Sequence, residues 1–138
     1  SKKTPIAIHR VIYGSLERFI GIIIEHFAGS FPVWISPVHA TILPISTDKH
    51  GDYANSLAKE LKSAGLRVEV DSNAETLGNR IRKDKKKKIP YVIVVGDKEM
   101  QNNSVNVRLR GGESLGEMSL EEFKNRVLDK ISTKALDL

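Results

Sequence analysis

Residues 91–96 read Tyr-Val-Ile-Val-Val-Gly, a continuous apolar run closed by a glycine. A strand that is apolar at every position is typical of the middle of a sheet whose two faces are both covered. Three further β-type runs and three helical patterns accompany it along the chain, at residues 40–45, 66–70 and 105–110 and at residues 47–64, 75–86 and from 119 onward. This order predicts an α/β fold in which a mixed β-sheet is flanked by helices.

Short polar residues mark the ends of the predicted helices. Thr47 or Asp48 can cap the first of them, and Gly65 ends it. Ser119 is followed three residues later by Glu122, which is the pattern of a capping box and predicts the start of the last helix.

The N-terminal part of the chain is organised differently. A β-type run covers residues 6–13, and a helix is predicted over residues 15–28, with Ser15 as its N-cap and Gly29 at its end. Apolar residues lie around most of this helix, which therefore needs packing partners on several sides. Few partners are available in so short a chain, and we expect its usual neighbours to lie upstream. Residues 31–37 contain two prolines and predict a stiff connector.

Composition narrows the class of protein. The 138 residues can bury one core but have little room for two, and 40% hydrophobic with 28% charged residues is ordinary for a soluble globular domain. The absence of cysteine excludes a disulfide framework and a cysteine nucleophile. No secretory signal is visible, and the longest uncharged apolar stretch, residues 19–24, is too short to span a bilayer. We therefore expect a cytoplasmic protein with no membrane partner, and the net charge of +5 favours a polyanionic partner.

The strongest concentration of charge is the run of residues 80–88, Arg-Ile-Arg-Lys-Asp-Lys-Lys-Lys-Lys, which leads into the central strand. One interpretation is a solvated helix end whose cations complement the C-terminal helix dipole. The other is a phosphate-binding edge beside a pocket that recognises bases. The loop at the far end of the same strand, residues 96–99, offers further hydrogen-bonding groups. The pattern alone leaves both interpretations open.

Two N-terminal side chains are candidates for chemistry. Arg18 lies in the first turns of an apolar helix, where an arginine indicates either a surface position or a bound anion or carboxylate. His9 is a lone histidine, and such a residue is ordinarily structural.

The wording of residues 8–21, Ile-His-Arg-Val-Ile-Tyr-Gly-Ser-Leu-Glu-Arg-Phe-Ile-Gly, closely resembles motif 3 of the class II aminoacyl-tRNA synthetases in the form found in the threonyl enzymes. The resemblance continues through residues 25–29, 31–34 and 36–38. From residue 39 the chain resembles the C-terminal anticodon-binding domain shared by the threonyl, prolyl, histidyl and glycyl enzymes. The matching positions there are Asp71, Glu75, Gly78, Ile81, Arg82, Pro90, Tyr91, Val94, Gly96, Asp97, Lys98 and Glu99.

Two segments favour the threonyl enzymes over their relatives. They are the Ile-His-Arg start at residues 8–10 and the Val-x-Val-Arg-x-Arg pattern at residues 105–110. The resemblance also implies two domains. Residues 1–38 would be the C-terminal end of the class II catalytic domain, with the motif 3 strand, its helix and a connector, and residues 39–138 would be the anticodon-binding domain.

Roles in catalysis follow from the same resemblance. Arg18 would clamp ATP while the adenylate forms, and Ser15 is a weaker substrate-pocket candidate. His9 would ligate, together with an upstream cysteine and histidine, a zinc ion that holds the substrate threonine. ATP and zinc are therefore the expected cofactors of the full-length enzyme, and we expect neither to bind stably to this fragment.

For RNA binding, the resemblance implies that Glu99 and Arg108 contact anticodon bases. An arginine can bond a guanine through two parallel hydrogen bonds. Arg82 and Lys88 are further RNA-binding candidates. Lys88 stands where an arginine is frequent, and it can hold a phosphate as a point charge.

One position departs from the family pattern. Threonyl enzymes commonly have Arg-Asn-Glu before the second helix of this domain, whereas this chain has Asn-Ala-Glu at residues 73–75. An asparagine side chain able to pair with a base is therefore absent at position 74. Asn73 could take its place only if the loop shifts.

These features predict tRNA anticodon recognition within a threonyl-tRNA synthetase, whose full-length form activates threonine with ATP and transfers it to tRNA. We expect threonine tRNA as the partner through its anticodon stem-loop, a homodimer for the full-length enzyme, and a monomeric fragment that is inactive alone. An alternative is a stand-alone, non-catalytic RNA- or protein-binding module of the same fold, although the intact motif 3 residues Ser15, Glu17 and Arg18 argue against it. A flavodoxin-like small-molecule binder has less support, because no glycine-rich phosphate loop follows the first strand.

Overall fold

The computed structural model describes residues 3–138, so residues 1 and 2 of the first predicted domain lie outside it. Within that range the strands are β1 (Ala40–Pro44), β2 (Val68–Val70), β3 (Tyr91–Val95), β4 (Ser104–Leu109) and β5 (Ser114–Ser119). The helices are α1 (Leu16–His26), α2 (Thr47–Ser63), α3 (Leu77–Lys87), α4 (Asp97–Asn102) and α5 (Leu120–Ser132), and a 3-10 turn covers Val33–Ile35.

The five strands form one mixed sheet in the order β2-β1-β3-β4-β5. β1 runs parallel to both β2 and β3, whereas β3–β4 and β4–β5 are antiparallel pairs. The apolar run of β3 lies in the middle, and all five of its residues are buried. The predicted fold class is therefore confirmed.

One face of the sheet packs against α2 and α5 and forms the main core. Ile42, Ile93 and Val107 are fully buried there. Tyr91 of β3 contacts Phe123 of α5 edge to face, with the ring centres 5.4 Å apart. The connector joins this core through Val33, which has no exposed surface.

The opposite face is covered only in part. Leu77 and Ile81 of α3 pack on the apolar residues of β1 and β3 on this side, namely Leu43, Val92 and Val94. Cross-strand partners share a face, so the pairs Val92–Arg108 and Val94–Asn106 put the two β4 residues on this side too. We call the uncovered part, formed by Asn106 and Arg108 of β4 and Glu117 of β5, the open face.

Most helix ends follow the predicted signals. The Ser15 hydroxyl accepts from the Arg18 N–H and caps α1, and the Ser119 hydroxyl accepts from the Glu122 N–H at 3.1 Å and caps α5. The predicted cap of α2 was wrong, because its N-cap is Ser46 rather than Thr47 or Asp48. The Ser46 side chain makes no capping bond.

The predicted strand at residues 6–13 is not present. A β-type segment becomes a strand only when a neighbouring strand pairs its backbone groups, and none of the described residues does so. Ile6 and Ile8 are consequently 90% and 88% exposed. α1 has no buried residue, and Leu16 and Ile22 on different sides of it are both exposed.

Two elements were not predicted from the sequence. α4 is a helix of six residues that immediately follows β3, in what reads as a loop. β5 pairs with β4 across the turn at residues 110–113, but only Leu115 and Met118 contact the core, so its alternation is weak. β5 owes its conformation to pairing with β4, whereas α4 begins with a local capping contact between Glu99 and the Gly96 N–H.

Candidate nucleic-acid interface

Arg108 is exposed on the open face, where β4 passes the edge of α3. A recess of about 50 Å³ lies at this junction, and Ile81 and Val92 give it an apolar floor. Lys85 of α3 lines the same recess. No ion pair between described residues involves Arg108 or Lys85.

Glu99 lies in α4, which begins at the opposite end of β3. Its Oε2 accepts from the Gly96 N–H at 2.9 Å, so the carboxylate closes the turn that carries it. A methyl group added at Gly96 would lie 2.5 Å from Ile45 Cδ1, so a larger residue there would displace the Ile45 side chain. The Oε1 atom of Glu99 accepts no hydrogen bond from the described residues and can receive one from a ligand.

Two side chains of helix α2, Tyr53 and His50, form hydrogen bonds with α4. The Tyr53 hydroxyl lies 3.2 Å from the Glu99 carbonyl oxygen and 3.0 Å from that of Ser104, and its one proton can be donated to either. The buried His50 accepts from the Ser46 N–H at Nδ1, so in this arrangement Nε2 carries the proton and donates to Asp97 Oδ1 at 3.1 Å. This bond lowers the pKa of Asp97.

The basic run of residues 80–88 does not form one surface. Arg80 is buried and donates to the carbonyl oxygens of Asp71 at 2.9 Å and Pro44 at 2.7 Å, so it supports the fold. Arg82 is exposed on the outer side of α3, in a broad groove of about 470 Å³. The other residues lining that groove are Glu75, Asn79, Lys83 and Lys86.

Asp84 and Lys88 complete the run. Asp84 is fully buried, neither of its carboxylate oxygens has a hydrogen-bond partner, and burial raises its pKa to about 6. Lys87 Nζ lies 3.8 Å from it, which offsets the burial only in part. Lys88 is exposed and donates to the carbonyl oxygen of Ala28. The structure therefore does not bring Lys88 together with Arg108.

Basic side chains fasten the connector to the domain. Arg67 donates to the carbonyl oxygens of Ser36 and Pro37, with Nη2 2.6 Å from the first and Nε 3.1 Å from the second. Arg110, at the end of β4, donates to the carbonyl oxygen of Phe31 at 2.5 Å. Together with Lys88 on Ala28, these bonds fix the chain between α1 and β1 against the sheet.

The loop before α3 keeps its asparagine occupied. Asn73 donates from both its backbone N–H and its Nδ2 to Asp71 Oδ1, at 2.9 and 2.6 Å. These bonds hold the Asn73 carboxamide beside Asp71, with its Oδ1 and its second N–H not used by them.

A polar cluster at the open face was missed by the sequence predictions. Glu117 Oε1 accepts from Ser104 Oγ at 2.5 Å and from Asn102 Nδ2 at 3.0 Å, and these bonds lower its pKa. Asn106 pairs with Glu117 across the strands, and its Oδ1 is buried without a partner. The alternation of β4 is the available signal, because it places Asn106 on the same face as Arg108.

The catalytic and metal candidates lie apart from this surface. Ser15 caps α1 and donates to Glu17 Oε2 at 2.8 Å, Arg18 is exposed, and His9 is exposed in a segment without regular structure. No hydrogen bond or ion pair of the described residues joins these candidates to β4 or α4. Between residues 3 and 138 no three metal-ligating side chains come together, and no helix there is long and apolar enough to cross a membrane.

Comparison with known proteins adds three findings. A family model described as "Anticodon binding domain" matches residues 35–130. The chain is 49% identical over 132 residues to a threonine–tRNA ligase of Alkalilimnicola ehrlichii, covering 96% of this chain and 20% of the relative. It is 50% identical over 133 residues to a threonine–tRNA ligase of Acetivibrio thermocellus, covering 96% and 21%. The chain thus spans about a fifth of the length of these relatives.

A solved structure agrees with the sequence comparisons. The RNA-binding domain of threonyl-tRNA synthetase from Cryptosporidium parvum Iowa II superposes with a TM-score of 0.79 at 32% sequence identity. The match covers 88% of this chain and 30% of that one. The structural match and the sequence matches therefore both cover most of the chain.

Proposed function

The chain belongs to the anticodon-binding domain family, and we propose that it recognises the anticodon of threonine tRNA as part of a threonine–tRNA ligase. The observation that carries this proposal is Arg108, which is exposed on the open face and has no ion-pair partner among the described residues. A cation left free beside an apolar recess suits the edge of a base in single-stranded RNA, where bases are accessible. The net charge of +5 favours approach of a polyanion.

Each candidate contributes a different kind of contact. The planar guanidinium of Arg108 can donate two parallel hydrogen bonds to O6 and N7 of a guanine. The free Oε1 of Glu99 can accept from a base amino or imino group, and its position is fixed by the bond of Oε2 to Gly96. Arg82, in the outer groove of α3, would bind phosphates, which carry no sequence information.

A binding measurement on the wild-type chain tests this function. The chain should bind an anticodon stem-loop of threonine tRNA at least about tenfold more tightly than the same stem-loop with its three anticodon bases replaced. The two RNAs have equal charge, so a difference reports contacts with bases rather than phosphates. Fluorescence anisotropy at one fixed salt concentration measures both. Equal affinities would reject anticodon recognition.

In the longer enzyme we propose further roles for the N-terminal residues. Residues 1–38 would complete the catalytic domain, where Arg18 binds ATP and Ser15 lines the substrate pocket, while residues 39–138 bind tRNA. This proposal is supported by the motif 3 sequence at residues 8–21 and by the fact that the chain covers only about a fifth of the length of its relatives. The parent would work as a cytoplasmic homodimer that joins threonine to tRNA, and we expect residues 1–138 alone to be inactive.

Zinc is a separate proposal for the longer enzyme. The described residues do not form a zinc site by themselves, because no three metal-ligating side chains come together among them. With two ligands from the rest of the protein, zinc would bind the amine and hydroxyl of threonine.

Replacing His9 with alanine in the full-length enzyme should therefore abolish stoichiometric zinc, because three protein ligands are needed for stable binding. Elemental analysis of the purified enzyme measures this. His26→Ala is the matched control, since His26 is also an exposed histidine of the N-terminal segment and should leave the zinc content unchanged. Full zinc occupancy in His9→Ala would show that His9 is not a ligand.

A further inference from the structure

Two cations share the recess where α3 meets β4. Lys85 and Arg108 both line it, and neither has an ion-pair partner among residues 3–138. A third cation of the lining, Arg110, donates to the carbonyl oxygen of Phe31 and so is already engaged. The recess therefore offers two free positive charges over an apolar floor.

The Lys85 ammonium lies beside the turn between β4 and β5. Its Nζ lies 3.9 Å from the point where a Cβ on Gly112 would be, so the side chain reaches from α3 to the turn between β4 and β5. Gly112 has a φ of +97°, a conformation that favours glycine and keeps this approach open. Like charges held close together repel unless an anion relieves them.

The neighbouring lysines do not share this environment. Lys86 lines the outer groove of α3, Lys87 lies beside the buried Asp84, and Lys88 donates to Ala28. The helical repeat separates these side chains around α3, since successive residues are rotated by about 100°. Lys85 is thus the member of residues 85–88 that lines the recess with Arg108.

We propose that Lys85 and Arg108 bind the same anticodon nucleotide, with Arg108 on its base and Lys85 on its phosphate. The inference rests on the proposed function and deepens it. The recess of about 50 Å³ is large enough for the edge of a base or a phosphate oxygen but not for a whole nucleotide. Lys85 therefore acts as a positioning residue, because it fixes the backbone of the nucleotide whose base edge Arg108 meets.

A double-mutant cycle distinguishes this arrangement from general electrostatic attraction. Lys85→Gln alone should weaken binding of the threonine anticodon stem-loop by about three- to tenfold and lower its salt-dependence slope by about one. If the two side chains hold one nucleotide, the loss in Lys85→Gln/Arg108→Ala should be smaller than the product of the single losses by at least about threefold.

The matched control uses the next lysine. Lys86→Gln removes the same charge from the outer groove, and its loss should multiply with that of Arg108→Ala, because the two residues would contact different parts of the RNA. Circular dichroism and thermal melting check that the exposed variants fold alike. Multiplicative losses for Lys85 and Arg108 would overturn this inference while a wild-type preference for the threonine anticodon keeps the proposed function. Loss of that preference as well would overturn both.

Discussion

Replacing Asp84 with asparagine should raise the free energy of unfolding at pH 8 by about 2 kcal/mol. The Asp84 carboxyl lies on the buried side of α3, and neither of its oxygens has a hydrogen-bond partner. Burial is the main cause that raises its pKa from 3.8 to about 6, the negative charges of Asp71 and Glu69 add to it, and Lys87 opposes it. Asparagine keeps the volume without a charge, although burying its own unpaired amide limits the gain.

The pH dependence fixes the sign of this effect. Because the pKa of Asp84 is higher in the folded state than in the unfolded chain, the folded state binds the proton more tightly. The stability that the protonated carboxyl contributes is fully present below about pH 4 and is lost as the pH rises through about 6. The advantage of Asp84→Asn should therefore be small at pH 4 and reach its full value above pH 7.

Urea denaturation from pH 4 to pH 8 measures this difference. Asp52→Asn is the matched control, because Asp52 is exposed on α2 and its loss should leave the pH profile close to that of the wild type. If the free energies of unfolding of Asp84→Asn and wild type differ by the same amount at every pH, folding does not raise the pKa of Asp84.

The basic run of residues 80–88 contains buried as well as exposed charged residues. The sequence suggests either a solvated helix end or a phosphate-binding edge for residues 80–88, and the structure divides the run among several roles. The helical period places Leu77, Arg80, Ile81 and Asp84 on the side toward the sheet. The same period predicts that Arg80 and Asp84 are buried. The hydrogen-bond partners of Arg80, the carbonyl oxygens of Asp71 and Pro44, are visible only in the folded structure.

The fold itself was largely predictable from local patterns. β3 was identified because a central strand is apolar throughout, and α5 because Ser119 and Glu122 mark its start. The segment at residues 6–13 was misassigned because a strand depends on pairing that its own sequence does not encode. The weakly alternating β5 was missed for the converse reason, since β4 supplies its pairing.

The site was predictable to a smaller extent. Arg108 was identified by resemblance, and the alternation of β4 agrees with its position on the open face. Lys88 is an RNA-binding candidate by resemblance, because it stands where the family frequently has an arginine, and in the structure its side chain donates to the carbonyl oxygen of Ala28. The contact of Lys88 with Ala28 joins segments 60 residues apart and leaves no local signal. The recess shared by Lys85 and Arg108 also lies between two elements, so it is visible only in the three-dimensional structure.

Arg108→Ala should weaken binding of the threonine anticodon stem-loop by roughly 1–3 kcal/mol, the range for a bidentate contact to a guanine. The side chain is exposed and has no ion-pair partner among the described residues, so its removal should leave the fold intact. Arg82→Ala is the matched control. Arg82 lies in the outer groove, and its loss should weaken all stem-loops alike because phosphates are the same in every sequence.

The central claim is that Arg108 recognises a base, and one measurement tests it most directly. Calorimetric titration of wild type and Arg108→Ala with two stem-loops, one carrying the threonine anticodon and one with its central guanine changed, gives four affinities. We predict a loss of roughly 1–3 kcal/mol on the threonine anticodon and almost none on the changed one, because there the partner of Arg108 is already absent. Equal losses on both stem-loops would show that Arg108 contacts the RNA backbone and does not recognise a base.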